Sequence, residues 1–491
     1  MIQPVKGTHD LFDKEADAFS YVSNVMSSIA DLFAYKEIRI PVIEHSELFV
    51  RGVGESSDVV RKEMYTFLDK GDRSITLRPE FTAGIMRSIV SSKLYATNEL
   101  PLKLHYCGPV FRYERPQLGR YRQFYQFGVE SVGCDNPLND VEVISLAFSI
   151  LSSLGLENVT LKINTLGDDE SRNAYRDALR AFFKDKIDGM CEDCKNRYEL
   201  NPLRILDCKV PEDQKIIKGA PQIQDYLSDN AKARFQEILD ALKEFEIPYE
   251  IDRSLVRGLD YYSDTVFEFH YTSKTGNNYG AIGAGGHYDK LLKEVGGPEY
   301  PGIGFSFGLE RIVSVLQDDG LLENKEVSQN INFYVMPMGQ KARKTGLNYA
   351  TDLRMWGYKT DICFEDVKFG NMFKRAEKKE ADYAIIIGDN ELENNEVIVK
   401  DLKAQTQETI KSSELLQYAV HLYEHGEGCN CGCCGNSDDT ECCCGDCNCG
   451  KCGHEPGEFP CKDGGECPCG NNPEECECVL SGTCMCKEAK K

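Results

Sequence analysis

Apolar side chains recur three and four positions apart at Phe19, Val22, Val25, Met26, Ile29 and Phe33, which predicts an amphipathic helix over residues 16–33. Residues 37–41 then read as extended chain. Ser74-Ile75-Thr76-Leu77 reads as a strand that Pro79 ends, with a helix following and Glu80 near that helix's positive start. Period-two alternation takes over in Val110-Phe111-Arg112-Tyr113-Glu114 and again in 124–130, which predicts two antiparallel strands joined by a long basic loop. On the second strand Tyr125, Phe127 and Val129 form a core face. Phe124, Gln126, Gly128 and Glu130 form a polar face, with a gap at Gly128 across which a small ligand could lie. The same polar face would equally suit a solvated outer surface, but Gln and Glu are poor strand formers, and the loop's Arg115, Arg120 and Arg122 would repel one another without an anionic partner.

Asn136-Pro137 predicts the cap of a helix running to Gly155. Residues 168–248 read as mostly helical, closing on a stripe of Ala231, Phe235, Ile238, Leu242 and Phe245 that belongs in a core. Cys191, Cys194 and Cys208 fall in this segment. Structural zinc takes four ligands, the sequence offers no evident fourth, and these thiols stay unassigned. Residues 278–308 are rich in glycine, yet their spacing is neither a dinucleotide fingerprint nor a P-loop. Their last part reads as a glycine-spaced strand feeding a helix with Arg311 in its first turn, where backbone can approach a flat ligand. Beyond residue 330, strands alternate with helices to residue 423, which predicts a separate α/β domain.

Residues 255–262, Leu-Val-Arg-Gly-Leu-Asp-Tyr-Tyr, bring Arg257, Asp260, Tyr261 and Tyr262 to the mouth of the strand that begins near Thr265. Arg257 is a permanent cation with a planar fork of donors suited to phosphate or carboxylate. Alone, this stretch could also be a surface turn closed by an Arg257–Asp260 ion pair.

The net charge of -23 argues against non-specific adhesion to nucleic acid or acidic membranes, though a local basic groove remains compatible with it. No apolar run approaches the roughly 20 residues that span a bilayer, and the N-terminus lacks the pattern of a signal peptide, so a cytoplasmic protein is expected. Of the 23 cysteines, six lie before residue 426 and seventeen lie from Cys429 to Cys486.

Residues 1–425 resemble, in order, a class II aminoacyl-tRNA synthetase, and more closely a bacterial-type histidyl-tRNA synthetase. Residues 37–41 resemble the class's dimer-interface motif, Phe111-Arg112-Tyr113-Glu114 with its loop the second motif, and residues 304–311 the third. Residues 255–262 and Ala284-Gly285-Gly286-His287-Tyr288-Asp289 resemble the two peptides that mark histidine as the amino acid. The resemblance implies an α+β catalytic domain on an antiparallel sheet over residues 1–328, with a helical insertion at about 168–250. An α/β anticodon-binding domain over 329–425 and an irregular Cys-rich tail over 426–491 would follow.

It also implies a reaction. L-histidine and ATP, with Mg²⁺, would give histidyl-adenylate and pyrophosphate, and the histidyl group would pass to the 3′ end of tRNA(His), in a homodimer. By family position Arg112 and Arg257 would be the catalytic cations, and Arg112, Glu114, Phe124 and Arg311 would hold ATP. Glu80, Phe81, Thr82, Gln126, Glu130, Arg257, Tyr261, Tyr262 and Tyr288 would hold histidine, and Arg115, Arg120 and Arg122 would face the tRNA acceptor end. Two departures stand out: His287 where the family more often has arginine, which could weaken a contact near the site, and Phe81 where bacterial members often carry glycine, which could narrow the pocket. A non-catalytic relative, the regulatory subunit of an ATP phosphoribosyltransferase, would share the core but lack the 330–425 domain.

The tail has almost no aliphatic residues and cannot form an apolar core. Its Cys-x-Cys and Cys-Cys spacings, through Cys429, Cys431, Cys433, Cys434, Cys442, Cys443, Cys444, Cys447, Cys449 and Cys452, suit a soft metal such as Zn²⁺ or Cu⁺ and resemble a metallothionein-like cluster. Inert disorder and a disulfide knot are the alternatives, the knot disfavoured in a reducing compartment.

Overall fold

The computed structural model describes residues 1–55, 57–115, 119–323 and 330–424. The chain divides between residues 329 and 330 into two compact units.

In the first unit, α1 (Asp13–Leu32) leads to β1 (Lys36–Glu37), β2 (Ile43–His45) and α2 (Ser46–Val53). After a π-helical turn, Val59–Glu63, come β3 (Tyr65–Leu68), β4 (Ser74–Leu77), α3 (Thr82–Ser91) and α4 (Leu94–Thr97). The long pair β5 (Leu102–Phe111) and β6 (Gln123–Val132) precedes α5 (Pro137–Ser153), which is capped as expected by the Asn136 side chain accepting from Leu138 N–H. Then follow β7 (Val159–Thr165), α6 (Asp169–Phe183), α7 (Glu192–Leu200), α8 (Pro211–Ile217) and α9 (Asp229–Glu244). The unit closes with β8 (Tyr249–Ile251), β9 (Ser263–Thr272), β10 (Asn278–Tyr288), α10 (Leu291–Glu294), β11 (Gly302–Gly308) and α11 (Leu309–Asp318).

Eight strands form one sheet in the order β1-β5-β6-β11-β10-β9-β7-β8. The expected antiparallel sheet needs correction: its six inner strands are antiparallel, but β1 pairs parallel with β5 and β8 pairs parallel with β7, so the sheet is mixed. Residues 37–41 contribute only their first residue to β1. Pro41 has no N–H to offer a ladder, and the chain instead enters a small sheet, β2-β4-β3.

One face of the large sheet is roofed by helices. Val22 and Met26 of α1, Ile144 and Leu151 of α5, Ile238 and Leu242 of α9, and Ile312 and Leu316 of α11 pack there on Phe127, Val129, Phe267, Phe269, Phe305 and Phe307. Strand alternation then forces Gln126, Glu130, Glu268 and Ser306 to the opposite face, where the cleft opens. Glycine is required in β10 because those phenylalanines need its space: a Cβ on Gly283 would lie 2.1 Å from the Phe307 ring, and one on Gly285 would meet the Gly304 carbonyl at 2.3 Å.

Between β7 and α9 the helical segment builds a small core of its own from Tyr175, Leu179, Phe183, Cys194, Leu203, Ile205, Cys208 and neighbours. The stripe on α9 serves both cores, Ala231 in the small one and Phe235, Ile238 and Leu242 in the main one, but its expected last member, Phe245, lies past the end of the helix and is exposed.

The second unit runs β12 (Phe333–Pro337), α12 (Gln340–Met355), β13 (Thr360–Ile362), α13 (Phe369–Lys378), β14 (Tyr383–Ile387), α14 (Asp389–Asn394), β15 (Glu396–Asp401), β16 (Gln407–Lys411) and α15 (Leu415–Glu424). Its sheet, β13-β12-β14-β15-β16, is parallel through β14 and antiparallel beyond. Phe333 and Val335 point to α12 and α15, and Tyr334 and Met336 to α13, so the sheet is covered on both faces. Strand β16 carries no apolar alternation to betray it, since only Ile410 is buried. Among the described residues no helix is long and apolar enough to cross a membrane.

Candidate active site

A cleft of about 350 Å³ opens on the opposite face of the large sheet, beside α3 and α10, whose Ile85, Met86, Ile89, Leu291 and Leu292 pack there with Tyr106, Val110 and Val266. It is lined by Glu80, Phe81, Thr82, Arg112, Glu114, Arg120, Phe124, Gln126, Glu130, Arg257, Tyr261, Tyr262, Tyr288 and Arg311. These residues come from five separate stretches of sequence. Among the site positions expected in the described residues, only Arg115 and Arg122 lie outside the cleft wall.

One end of the cleft is acidic and buried. Glu80 sits at the start of α3, where its carboxylate accepts from Thr82 N–H at 2.7 Å and Ala83 N–H at 2.8 Å. Glu130 accepts from the Thr82 hydroxyl at 2.7 Å and the Tyr288 hydroxyl at 2.6 Å. Burial pushes both carboxyls up, Glu130 to about 8, with the charge of Glu80 adding to the effect. Among the described residues neither forms an ion pair. Two desolvated carboxyls beside phenolic hydroxyls make a receptor for a cation with several N–H donors.

The other end is basic. Arg257 donates from Nη1 to Glu268 at 2.8 Å and lies over the Tyr262 ring, while its buried Nε has no partner in the structure. His270 Nε2 holds the second oxygen of Glu268 at 2.9 Å. Arg112 donates from Nε to the Pro79 carbonyl at 2.9 Å and lies 5.5 Å from the centre of the Phe124 ring. Arg311 is held by the Gly119 and Ala281 carbonyls. Three guanidiniums thus line the same cleft as the acidic pair, Arg112 beside the Phe124 ring and held at the Pro79 carbonyl, next in sequence to Glu80.

The arginines of the long loop differ in their surroundings. Arg115 is exposed, and Arg120 lines the cleft in an ion pair with Glu114 at 3.3 Å. Arg122 lies over the Tyr113 ring and donates to the Glu114 carbonyl, bracing the loop itself.

The gap expected at Gly128 is not open: the Tyr106 hydroxyl fills it, 2.3 Å from where a Cβ would stand. Gly304 likewise gives its space to Glu130, whose Oε2 is 2.2 Å from that glycine's Cβ position. These glycines therefore seat protein side chains that shape the cleft. Sequence reasoning missed Tyr106 and Glu268. Glu268 was readable: Phe267 and Phe269 mark the core face of β9, so Glu268 must face the cleft.

The two departures also resolve. His287 points away from the cleft, with Nδ1 3.1 Å from Asp140 and Nε2 3.2 Å from Asp289. Burial opposes its proton, but Asp140 and Asp289 prevail and raise it from 6.5 to about 10. The stability this imidazolium lends is fully present below 6.5 and is lost as pH rises through about 10. Removing the charge takes from the fully buried Asp140 its nearer cation and leaves it the Arg234 guanidinium 3.6 Å away. His287→Gln is accordingly expected to lower the melting temperature by a few degrees near neutral pH and by less above pH of about 10, checked by thermal unfolding across pH. Phe81 is part of the wall, stacked on Tyr106 at 4.3 Å with the Arg78 guanidinium 3.9 Å from its ring centre.

A helix-backed sheet with antiparallel inner strands, bearing an acidic and a basic end on its open face, and a separate α/β unit behind it in sequence, define a class II aminoacyl-tRNA synthetase. Comparison with known proteins narrows this. The family described as Histidyl-tRNA synthetase matches residues 7–312, and the family described as Anticodon binding domain matches residues 332–422. The histidine–tRNA ligase of Bacillus subtilis (strain 168) is 45% identical over 406 residues, covering 83% of this chain and 95% of that protein. That of Bacillus licheniformis is 44% identical over 413 residues, covering 84% and 97%. The crystal structure of apo S. aureus histidyl-tRNA synthetase superposes with a TM-score of 0.73 at 36% identity, covering 85% of this chain and 99% of that one. The chain belongs to the histidyl-tRNA synthetase family.

Proposed function

We propose that the chain is a histidine–tRNA ligase working in the cleft just described. Histidine's carboxylate oxygen attacks the α-phosphorus of ATP, the bond to the β-phosphate breaks, and pyrophosphate leaves. The terminal ribose hydroxyl of tRNA(His) then attacks the carbonyl carbon of histidyl-adenylate, and AMP departs. The observation that carries this reading is the pairing of a buried dicarboxylate receptor with three arginines in one cleft. A ligand joining an ammonium to a polyphosphate matches both ends at once.

Glu80 and Glu130 would take the α-ammonium with Gln126, and Thr82 would hold Glu130 in place. Tyr261, Tyr262 and Tyr288, whose rings meet at 4.5 and 5.7 Å, would surround the imidazole. Arg112 and Arg257 would face the α-phosphate from opposite sides, where negative charge builds in the transition state. Phe124 would carry adenine, and Arg311 would hold the far end of the nucleotide. Glu63 and Glu114 bring hard oxygen donors to the cleft and fit Mg²⁺, which would help neutralise the polyphosphate.

The 330–424 unit, matching the anticodon-binding family, would take the other end of the tRNA. The exposed Ile43, Phe67 and Leu68 of the small sheet support a homodimer beside the residue 37–41 motif. The tail cysteines from Cys429 onward lie outside the described residues; their spacing supports binding of a soft metal. The reading implies a cytoplasmic enzyme.

The test is to incubate the full chain with Mg²⁺, histidine and ATP labelled at the α-phosphate and isolate the protein. Labelled histidyl-adenylate bound in near-stoichiometric amount is expected. Free labelled ATP alone, from folded protein, would overturn the reading.

A further inference from the structure

The fold supplies the fourth group that the three thiols of the helical segment lack. Cys191, Cys194, Cys208 and Asp213 each bring one ligand atom to a common point, all within 4.8 Å of one another. Cys191 and Cys194 stand at the N-cap and third position of α7, so one helical start directs both thiols to the same side. Cys208 follows a 3₁₀ turn (Pro202–Asp207), and Asp213 lies in the first turn of α8.

The spacing is that of an ion site. Two sulfurs each about 2.3 Å from a tetrahedral ion stand about 3.8 Å apart. Cys191 Sγ and Cys208 Sγ are 3.8 Å apart, and Cys208 Sγ is 3.3 Å from Asp213 Oδ2. All of these cysteines are unbridged, and a disulfide would need the sulfurs at about 2.05 Å. Backbone donors orient two of the four groups: Val210 N–H points to Cys208 Sγ at 3.4 Å, and Cys191 N–H donates to Asp213 at 3.2 Å. Cys194, Cys208 and Asp213 are buried, the carboxylate at 2% exposure, where a charge without a metal or cationic partner is costly.

We propose that Cys191, Cys194, Cys208 and Asp213 form a structural zinc site. Zinc suits the set because it accepts three thiolates and one carboxylate in tetrahedral geometry, and a closed four-ligand shell leaves no position for substrate. The thiol protons go to solvent as the ion binds. The site fastens α7 to α8 at the edge of the small core that both helices share.

The consequence reaches the active site. From α7, Asp193 pairs with Lys62 at 2.7 Å and Arg197 pairs with Asp58 at 2.7 Å. Those partners are the N-cap and the fourth residue of the π-helical turn whose Val59 and Glu63 line the cleft. Asn201, at the end of α7, donates to Asp260 at 3.0 Å within the 255–262 stretch. Zinc thereby positions two walls of the cleft from outside it.

The test uses the full chain, in which tail cysteines can hold metal of their own. Zinc per chain is measured by elemental analysis for wild type and for Cys191→Ser/Cys208→Ser, with the tail unchanged. Peptide-resolved hydrogen exchange follows residues 187–217 before chelation, after it, and after zinc is returned. The double variant is expected to carry about one zinc fewer. Chelation is expected to speed exchange over 187–217 by at least tenfold in the wild type, and zinc to reverse it. Asp213→Cys, which keeps a four-ligand shell, is expected to retain the ion against more chelator than wild type. Equal zinc in wild type and double variant, or exchange over 187–217 indifferent to chelator and zinc, would overturn the proposal.

Discussion

Replacing Arg257 by alanine is expected to lower kcat for histidine activation by ~10²–10³-fold with a much smaller change in the KM for ATP. The argument rests on where the guanidinium is held. Glu268 fixes one nitrogen at 2.8 Å and is itself held by His270, so the group is oriented before any ligand arrives. Its Nε is buried without a hydrogen-bond partner, so an anion arriving beside it would satisfy that donor. Charge on the α-phosphate oxygens grows toward the transition state, so the loss should fall on kcat. Glu268→Gln keeps Arg257 but loosens its orientation and should cost roughly tenfold. Pre-steady-state measurement of adenylate formation separates these cases. A fall below tenfold for Arg257→Ala would show that Arg257 is not aimed at the reacting phosphate.

Glu130→Gln is expected to raise the KM for histidine ~10–100-fold, the cost of losing a charged hydrogen bond in a buried site. Its pH dependence is the sharper signature. Burial first, and the charge of Glu80 after it, lift the Glu130 carboxyl from 4.5 to about 8, so the empty site holds a proton there near neutrality. The α-ammonium of histidine favours the carboxylate, so binding should release that proton, and affinity should rise with pH up to about 8. Calorimetry in buffers of different ionisation enthalpy counts the proton. The difference between wild type and Glu130→Gln isolates this carboxyl from the titration of histidine's own ring.

The same shift carries a stability sign. A carboxyl raised to about 8 in the fold keeps a proton that the unfolded chain releases near 4.5, so its contribution declines as pH rises between these values. Glu130→Gln should therefore unfold at a higher temperature than wild type at pH above about 8 while binding histidine worse. Unchanged histidine affinity in Glu130→Gln would remove Glu130 from the ammonium site.

Much of the cleft was legible because strand alternation sorts side chains without reference to distant partners. Phe124, Gln126 and Glu130 fall on the open face for the same reason that Phe127 and Val129 fall in the core. Arg257, Tyr261 and Tyr262 could be placed near a strand's mouth because a change from polar cluster to β-branched run is local. What escaped was set by contacts across the sheet. Gly128 read as room for a ligand, but Tyr106 from the neighbouring strand occupies it. His287 read as a neighbour of the site, but β10 turns it toward Asp140 of α5 and away from the cleft.

The parallel pairing of β1 and β8 left no local mark, since such short edge strands carry no periodicity. Asp213 was invisible as a partner of the cysteines because nothing in a carboxylate five residues past Cys208 distinguishes it from a solvated one. The unit beyond residue 330 was the easiest to read, its buried strands being continuous apolar runs such as Tyr383-Ala384-Ile385-Ile386-Ile387.

The most direct measurement is ATP–pyrophosphate exchange by the full chain with Mg²⁺ and each of the twenty amino acids in turn. Exchange with histidine alone is the predicted result, because it requires the dicarboxylate end, the tyrosine cage and the arginines to act on one ligand. Exchange with none of them, from protein shown to be folded, would contradict adenylate chemistry in this cleft.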